Sequence, residues 1–151
     1  MVFGTFDYLH AGHENMFTQG AALGDILIVV VARDETVHRV KGRYPDHTEK
    51  KRLAMVKAHP LVTKAILGEL TDKHTVIRKY KPDIIALGYD QFVFTYTLKK
   101  TLIDAKIDAE IVRLKSYNPE IYKSSLMRDR TQRAITKTET PLPKTLSPSI
   151  P

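Results

Sequence analysis

Short apolar runs alternate with helical patterns along most of this chain. The longest run, residues 26–32, is almost entirely β-branched or apolar and shows no alternation, which predicts a strand covered on both faces, as in a parallel sheet. Further strands are predicted at residues 1–4, 65–67, 84–87 and 110–114. Helices are predicted at residues 13–23, 35–40, 48–58, 73–80, 96–105 and 125–135.

The order of these elements predicts a three-layer α/β fold with a parallel sheet and right-handed crossovers. In such sheets ligands bind beyond the carboxyl ends of the strands. At the helix boundaries, Asp46 with Glu49 predicts a capping box at the start of the third helix. Gly24 is predicted to end the first helix.

The chain length of 151 residues suits one domain, which we expect to span residues 1–135. From residue 136 the sequence reads TKTETPLPKTLSPSIP, holds four of the eight prolines and shows no apolar periodicity, which predicts a mobile tail. The first strand is short, so a few native residues are expected to be missing at the start.

Composition excludes several classes of site. The chain has no Cys, which excludes disulfides, thiolate zinc sites and a Cys nucleophile and fits a reducing cytosol, so a cytoplasmic location is expected. No apolar run approaches the ~20 residues that a membrane span needs. The start of the chain lacks the basic-then-apolar order of a secretory signal.

The net charge of +7 is concentrated in two blocks, residues 38–59 and 113–137, each with seven basic and two acidic side chains. Solvated helix faces, a polyphosphate pocket and a nucleic-acid surface each explain such blocks. No RNA-binding motif with stacking aromatic residues is present, so no nucleic-acid partner is expected.

The strongest chemical signal is GTFDYLHAGH, residues 4–13, at the junction of the first strand and the first helix. Gly4 and Gly12 permit tight turns and close approach of a ligand. The helix N-terminus offers free N–H groups to a phosphate, and His10 and His13, three apart, can face the same anion. Metal ligation by the two His is an alternative, but the motif shows no third ligand. Ordinary surface positions are a further alternative, which the framing glycines disfavour.

These residues resemble the HxGH signature of the cytidylyltransferase-like nucleotidyltransferase superfamily, which includes glycerol-3-phosphate cytidylyltransferase, phosphopantetheine adenylyltransferase and the archaeal-type FAD synthase. The family's second signature, a Ser/Thr-rich turn, a helix and an Arg, is matched by Ser124-Ser125-Leu126-Met127-Arg128. Lys123-Ser124-Ser125 departs from the Ile-Ser-Thr or Ser-Thr-Ser usual there. The resemblance spans residues 1–135 and implies a Rossmann-like nucleotidyltransferase domain.

A narrower resemblance concerns the strings LIVVVARD, KPDIIALG and GYDQ, which look most like the archaeal-type FAD synthase. This resemblance implies transfer of AMP from ATP to FMN, giving FAD and pyrophosphate, with Mg²⁺ and a homodimer. Glycerol-3-phosphate cytidylyltransferase and phosphopantetheine adenylyltransferase are the alternative activities. A nucleotide sensor without turnover is a further class, against which both His and Arg128 argue. Archaeal-type members often carry Cys near the C-terminus, and this chain has none.

The resemblance also implies roles for particular residues. The catalytic residues are expected to be His10, His13, Lys41 and Arg128. Nucleotide binding is expected from Thr5, Phe6, His10, His13, Gly88, Asp90, Ser124, Ser125 and Arg128. Lys41, Arg43 and Arg52 are expected at the substrate phosphate, with Arg52 as a solvated helix charge in the alternative. No direct protein ligand to the metal is expected, with Asp7 as an indirect ligand through water. Phe92, Phe94 and Tyr96 are expected either to form a flavin slot or to pack in the core.

Overall fold

The structure, a computed structural model, describes residues 1–138, apart from the side chains of residues 93, 94, 124, 137 and 138. Within that range the chain forms five strands and six helices in alternating order. The elements are β1 (Val2–Gly4), α1 (Ala11–Ala22), β2 (Ile28–Val31), α2 (Asp34–Lys41), α3 (Glu49–Lys57), β3 (Lys64–Leu67), α4 (Thr75–Tyr80), β4 (Ile84–Leu87), α5 (Phe92–Asp104), β5 (Glu110–Arg113) and α6 (Ser124–Thr138).

All five strands pair in parallel, in the order β3-β2-β1-β4-β5, with β1 at the centre. Val2 of β1 lies opposite Val29 of β2 on one side and opposite Ala86 of β4 on the other. The strand order reverses between β1 and β4, and such a switch point is where ligands bind in open α/β sheets. The predicted parallel α/β fold is confirmed.

Alternate residues of the strands enter two hydrophobic cores. Val29 and Val31 belong to the core that also contains Phe17 of α1 and Val56 of α3. Val30 belongs to the core that contains Ile77 of α4 and Leu98 of α5. Since helices pack on both faces of the sheet, the fold has three layers, and the predicted double burial of β2 is confirmed.

Two predicted helix boundaries agree with the structure within one residue, but the capping interactions expected there are wrong. The N-cap of α3 is Thr48, whose Oγ1 accepts a 3.3 Å hydrogen bond from Lys51 N, so Asp46 and Glu49 form no capping box. Glu49 instead accepts a 2.8 Å hydrogen bond from Asp34 N at the start of α2. At the end of α1 the C-cap is Leu23 in right-handed geometry, so Gly24 does not supply a left-handed cap.

The last two helices are longer than the sequence predicts. The helix α5 begins at Phe92, four residues before the predicted start. The helix α6 continues to Thr138, three residues beyond the predicted domain boundary, and the rest of the predicted tail lies outside the described residues. Across the described part of the chain, no helix is long and apolar enough to cross a membrane.

Candidate active site

The loop that leaves β1 depends on the close approach of Phe6 to Gly4. Phe6 adopts a left-handed φ of 54°, which turns its ring back over the strand end, and a Cβ on Gly4 would lie only 2.6 Å from Cζ of that ring. The ring is buried and contacts Phe17 and His13, with centroid distances of 5.4 and 5.1 Å. Phe6, expected at the nucleotide, therefore faces the core, and only its backbone is available to a ligand.

His10 and His13 lie together at the start of α1, as the HxGH spacing predicts. His10 is the N-cap of the helix, and its Nδ1 accepts a 3.1 Å hydrogen bond from Gly12 N. The two imidazole rings stack with centroids 3.9 Å apart and planes inclined by 20°. A Cβ on Gly12 would lie 2.8 Å from Cε1 of His10, so the glycine makes room for this stack.

The pKa values of both imidazoles are depressed, so the pair is neutral near neutral pH. Burial, with a smaller contribution from the neighbouring His10, lowers the pKa of His13 from 6.5 to about 3. Burial also lowers the pKa of His10. Because Nδ1 of His10 accepts a hydrogen bond, its proton is on Nε2, which is then a donor. His10 therefore offers a hydrogen bond to an anion without carrying charge of its own, and the neutral His13 ring supports it through the stack.

Asp7 is the centre of a buried polar network beneath this loop. Oδ1 accepts hydrogen bonds from N and Nδ1 of His47, at 2.9 and 3.1 Å. Oδ2 accepts from Asp46 N at 3.0 Å and from a guanidinium nitrogen of Arg128 at 2.6 Å. Burial by itself raises the pKa of Asp7, but the N–H groups of Asp46 and His47, together with the His47 ring and Arg128, outweigh it and hold the pKa below its usual value.

This arrangement corrects the role expected for Asp7. The residue is 2% exposed and each carboxylate oxygen already accepts two hydrogen bonds, so neither oxygen is available to a metal-bound water. Asp7 instead fixes the loop after β1 to the segment before α3 and to α6. Among residues 1–138, no cluster of three or more His, Asp or Glu side chains could hold a metal ion, so the metal-site alternative for His10 and His13 gains no third ligand.

Arg128 is brought to the motif loop by α6. Its side chain is largely buried, and besides Asp7 it pairs with Asp46, whose Oδ2 accepts from Nε at 2.7 Å. The same Oδ2 accepts a 2.6 Å hydrogen bond from the hydroxyl of Tyr8. That bond is the main reason that the pKa of Tyr8 is raised to about 12. Two residues predicted from opposite ends of the domain, His10 and Arg128, are thus held around one loop.

Lys41 approaches the loop from the other side. Its Nζ donates a 3.3 Å hydrogen bond to Oγ1 of Thr5, and Gly42, with a φ of 73°, ends α2 directly after it. Burial, then the charge of Arg128, lowers the pKa of Lys41, while Asp7 and Asp90 oppose that shift. Arg43 is exposed on the segment that follows. Lys41, expected at the phosphates, is therefore next to Thr5 and within electrostatic reach of Arg128.

Arg52 is not placed to touch a substrate. Its side chain is fully buried, and its guanidinium donates to Thr5 O at 2.6 Å, to Asp34 Oδ1 at 2.8 Å and to His47 O at 3.0 Å. Both the expected phosphate contact and the solvated helix charge are therefore wrong. Arg52 instead stabilises the backbone at Thr5 and His47 by donating hydrogen bonds to their carbonyl oxygens.

The loop after β4 contains Gly88 and Asp90, both expected at the nucleotide. Gly88 N donates to the side chain of Gln91 at 2.8 Å, and that side chain donates in turn to Phe3 O of β1 at 3.0 Å. Asp90 is exposed at the same edge of the sheet. Its carboxylate is near enough to Lys41 to affect the pKa of the ammonium group, so this loop borders the same site.

The aromatic residues beyond this loop are not core residues. Phe92 is 68% exposed and Tyr96 is 83% exposed, so core packing is wrong for both. The side chain of Phe94 lies outside the described residues.

The start of α6 lies close to the His pair. Tyr122, two residues before the helix, has its ring centroid 6.3 Å from that of His10. Ser124 is the first residue of the helix and Ser125 is exposed in its first turn, so the free N–H groups of that turn lie at the same edge as His10. The side chain of Ser124 lies outside the described residues.

Several site residues escape the sequence analysis. Asp46, His47 and Tyr8 act through other residues, and single residues of these types have no recognisable spacing. Asp46 carries one weak signal, as one of only two acids in the basic block 38–59.

Comparisons with known proteins agree with this geometry. Residues 1–130 match the family model described as cytidylyltransferase-like. The chain is 48% identical over 112 residues to an FAD synthase of Methanosarcina mazei, covering 74% of this chain and 72% of that protein. It is 38% identical over 135 residues to an FAD synthase of Thermoplasma volcanium, covering 89% and 94%. A crystal structure of a lipopolysaccharide core biosynthesis protein from Thermoplasma volcanium GSS1 superposes with a TM-score of 0.73 at 41% identity, covering 78% of this chain and 96% of that one.

Proposed function

This chain belongs to the cytidylyltransferase-like family, and from that premise we propose that it transfers AMP from ATP to the phosphate of FMN, releasing FAD and pyrophosphate. The two FAD synthase relatives, at 48% and 38% identity, support this activity and confirm the adenylyltransferase predicted from the sequence. The observation that carries the proposal is the stacked, neutral His10–His13 pair at a helix N-terminus, with Arg128 and Lys41 held around the same loop.

The reaction needs no covalent intermediate on the protein. An oxygen of the FMN phosphate attacks the α-phosphorus of ATP in line, a new P–O bond forms, and the bond from the α-phosphorus to the bridging oxygen breaks as pyrophosphate leaves. Catalysis then consists of positioning and of stabilising the charge that develops on phosphate oxygens.

The His pair fits the α-phosphate. The Nε2–H of His10 and the free N–H groups at the N-terminus of α1 are proposed to stabilise the developing charge, and the neutral His pair does not repel a cationic neighbour such as Lys41. The stack fixes both rings before substrate arrives, so little reorganisation is needed in the transition state. Thr5 Oγ1, which already accepts from Lys41, lies next to this pair along the loop.

Arg128 and the first turn of α6 fit the β- and γ-phosphates. The guanidinium of Arg128 already pairs with Asp7 and Asp46, so its remaining N–H groups are the ones proposed to bind phosphate oxygens, and helix N–H groups add neutral donors. Lys41 is placed between the β1 loop and the Asp90 loop, where it can bind either the triphosphate or the phosphate of FMN. Arg43, on the exposed segment beyond Gly42, is proposed to assist at the FMN phosphate.

Mg²⁺ is proposed to enter with ATP as part of the substrate. A magnesium ion usually keeps several waters and is bound largely through phosphate oxygens. This mode suits a site where the described residues form no ligand cluster and Asp7 is fully hydrogen-bonded. A homodimer and a cytoplasmic location are further proposals, which rest on the family resemblance and on the absence of Cys.

The acceptor substrate should be tested over several substrate pairs, because one protein of similar structure is described as a lipopolysaccharide core biosynthesis protein and not as an FAD synthase. Pyrophosphate release should be measured with ATP or CTP against FMN, glycerol 3-phosphate and phosphopantetheine. We expect release above background only for ATP with FMN. Release with CTP and glycerol 3-phosphate alone would reassign the substrate pair, and no release with any pair would leave a nucleotide-binding protein.

A further inference from the structure

Arg113 is the last residue of β5 and is not part of either family motif. It lies opposite Leu87, the last residue of β4, in the parallel pairing of the two strands. A long side chain at this point can therefore reach the loop that follows β4, which contains Gly88 and Asp90. The guanidinium does so, since one nitrogen donates to Gly88 O at 2.8 Å and to Gln91 O at 3.1 Å.

The second terminal nitrogen of Arg113 extends this clamp into α5. It donates to Oγ1 of Thr95 at 2.9 Å, and that hydroxyl donates to Gln91 O at 3.1 Å. The guanidinium also covers one face of the exposed ring of Phe92, with Cζ 4.8 Å from the ring centroid. All of its hydrogen-bond acceptors are neutral oxygens, so its positive charge is not paired with a carboxylate by these contacts.

Gln91 completes the clamp on the other side of the loop. Its side chain accepts from Gly88 N and donates to Phe3 O, so both backbone groups of Gly88 are held by long side chains. The loop is thereby fixed relative to β1, whose end carries the His motif. Residues 88–91 form a turn closed by a 3.2 Å hydrogen bond from Gln91 N to Gly88 O, and the two side chains fix this turn to β5 and to β1.

We propose that Arg113 is the positioning residue for ATP, holding the Gly88–Asp90 loop in the geometry that receives the nucleoside part of the triphosphate. The inference rests on the proposed function and adds a residue specific to one of the two substrates. Arg43, proposed to assist at the FMN phosphate, follows α2 on the β2 side of β1, whereas Arg113 acts on the β4 side. Loss of the clamp therefore weakens ATP binding far more than FMN binding.

The test is a comparison of four variants by calorimetric ATP binding and by steady-state kinetics. For Arg113→Ala we expect the Kd and the KM for ATP to rise at least about 10-fold, the scale of losing charge-assisted hydrogen bonds. The KM for FMN and kcat should stay within about twofold. Arg113→Lys should be intermediate, since an ammonium group lacks the planar fork. Thr95→Val removes one acceptor and should give a smaller rise in the same direction.

Lys100→Ala is the matched control, since it removes one positive charge from the exposed surface of α5 without touching the clamp. It should leave both KM values unchanged. An unchanged ATP affinity in Arg113→Ala, or an equal rise in the KM for FMN, would overturn the inference. Should Arg113→Ala not fold, Arg113→Lys and Thr95→Val decide the same point.

FAD formation by the wild-type protein tests the proposed activity, and calorimetric ATP binding by the variants tests the role of Arg113. A wild-type protein that binds ATP but forms no FAD would refute the FMN activity, while the calorimetric comparison would still test the clamp. A wild-type protein that does not bind ATP would overturn both.

Discussion

The guanidinium of Arg128 donates a 2.6 Å hydrogen bond to the carboxylate of Asp7, which lies 121 residues earlier in the chain. This contact joins the helix near the C-terminal end of the domain to the loop of the HxGH motif. It orients Arg128 at the edge of the site before any substrate is present. Arg128 is therefore held against the motif loop in the absence of any ligand.

Replacing Arg128 by Ala should weaken ATP binding far more than AMP binding, because the role proposed for this side chain is to bind the β- and γ-phosphates. A charge-assisted interaction of ~1.5–3 kcal/mol corresponds to a loss of roughly 10- to 100-fold in ATP affinity. Arg128→Lys should recover little, because Lys lacks the planar fork. Isothermal titration with both nucleotides measures the difference, and equal losses for ATP and AMP would place Arg128 elsewhere.

Replacing Gly12 by Ala should lower kcat although Ala is the better helix former. The new Cβ would lie 2.8 Å from Cε1 of His10, so the ring must leave its stack on His13 and its hydrogen bond to Gly12 N. Loss of a preorganised donor typically costs about 10²-fold in rate. Gly24→Ala is the control, since nothing lies within 4 Å of a Cβ there. Normal turnover in the folded Gly12 variant would show that the stack is not needed.

His13 should make stability depend on pH below neutrality. Its pKa is about 3 in the folded protein and 6.5 when unperturbed, so between these values the unfolded chain binds a proton that the folded chain does not. Stability from this group is therefore complete above pH 6.5 and is lost as the pH falls. Urea denaturation of wild type and His13→Gln between pH 7.5 and 5 should give a shallower pH dependence for the variant. Parallel curves would mean that His13 titrates normally.

Arg52 should matter for stability rather than for substrate affinity. Arg52→Met leaves Thr5 O and His47 O without their buried donor and removes the partner of the partly exposed Asp34, and each buried acceptor left unsatisfied costs about 1–3 kcal/mol. The neighbouring exposed Lys51→Met on the same helix should change the free energy of unfolding by less than about 0.5 kcal/mol. Urea denaturation compares the free energies of unfolding of the two variants. A rise in the KM for a substrate without loss of stability in Arg52→Met would show that Arg52 contacts the substrate phosphate after all.

The fold and the His pair could be predicted from sequence because their signals are local. The apolar run around β2 and the HxGH spacing each fall within one strand or one loop. The role of Arg52 could not be predicted in this way, because an Arg on a helix among lysines has the pattern of a surface charge. Its burial depends on Thr5, Asp34 and His47, which come together only in the folded chain.

Asp7 illustrates the same limit within the motif itself. Sequence identifies an acid next to a phosphate loop, for which an indirect metal contact is a reasonable expectation. In the structure both carboxylate oxygens of Asp7 accept hydrogen bonds from Asp46, His47 and Arg128, which are 39 to 121 residues away in the chain. Which acids are free to bind a metal is decided by such long-range contacts and not by the spacing of the motif.

The most direct test of the proposed activity is the fate of the flavin. The protein should be incubated with FMN, Mg²⁺ and either ATP or CTP, and the flavins should be separated by chromatography. We expect FAD to form with ATP, with one pyrophosphate released per FAD. Absence of FAD with ATP, together with CTP-dependent pyrophosphate release on glycerol 3-phosphate, would contradict the FMN adenylyltransferase activity.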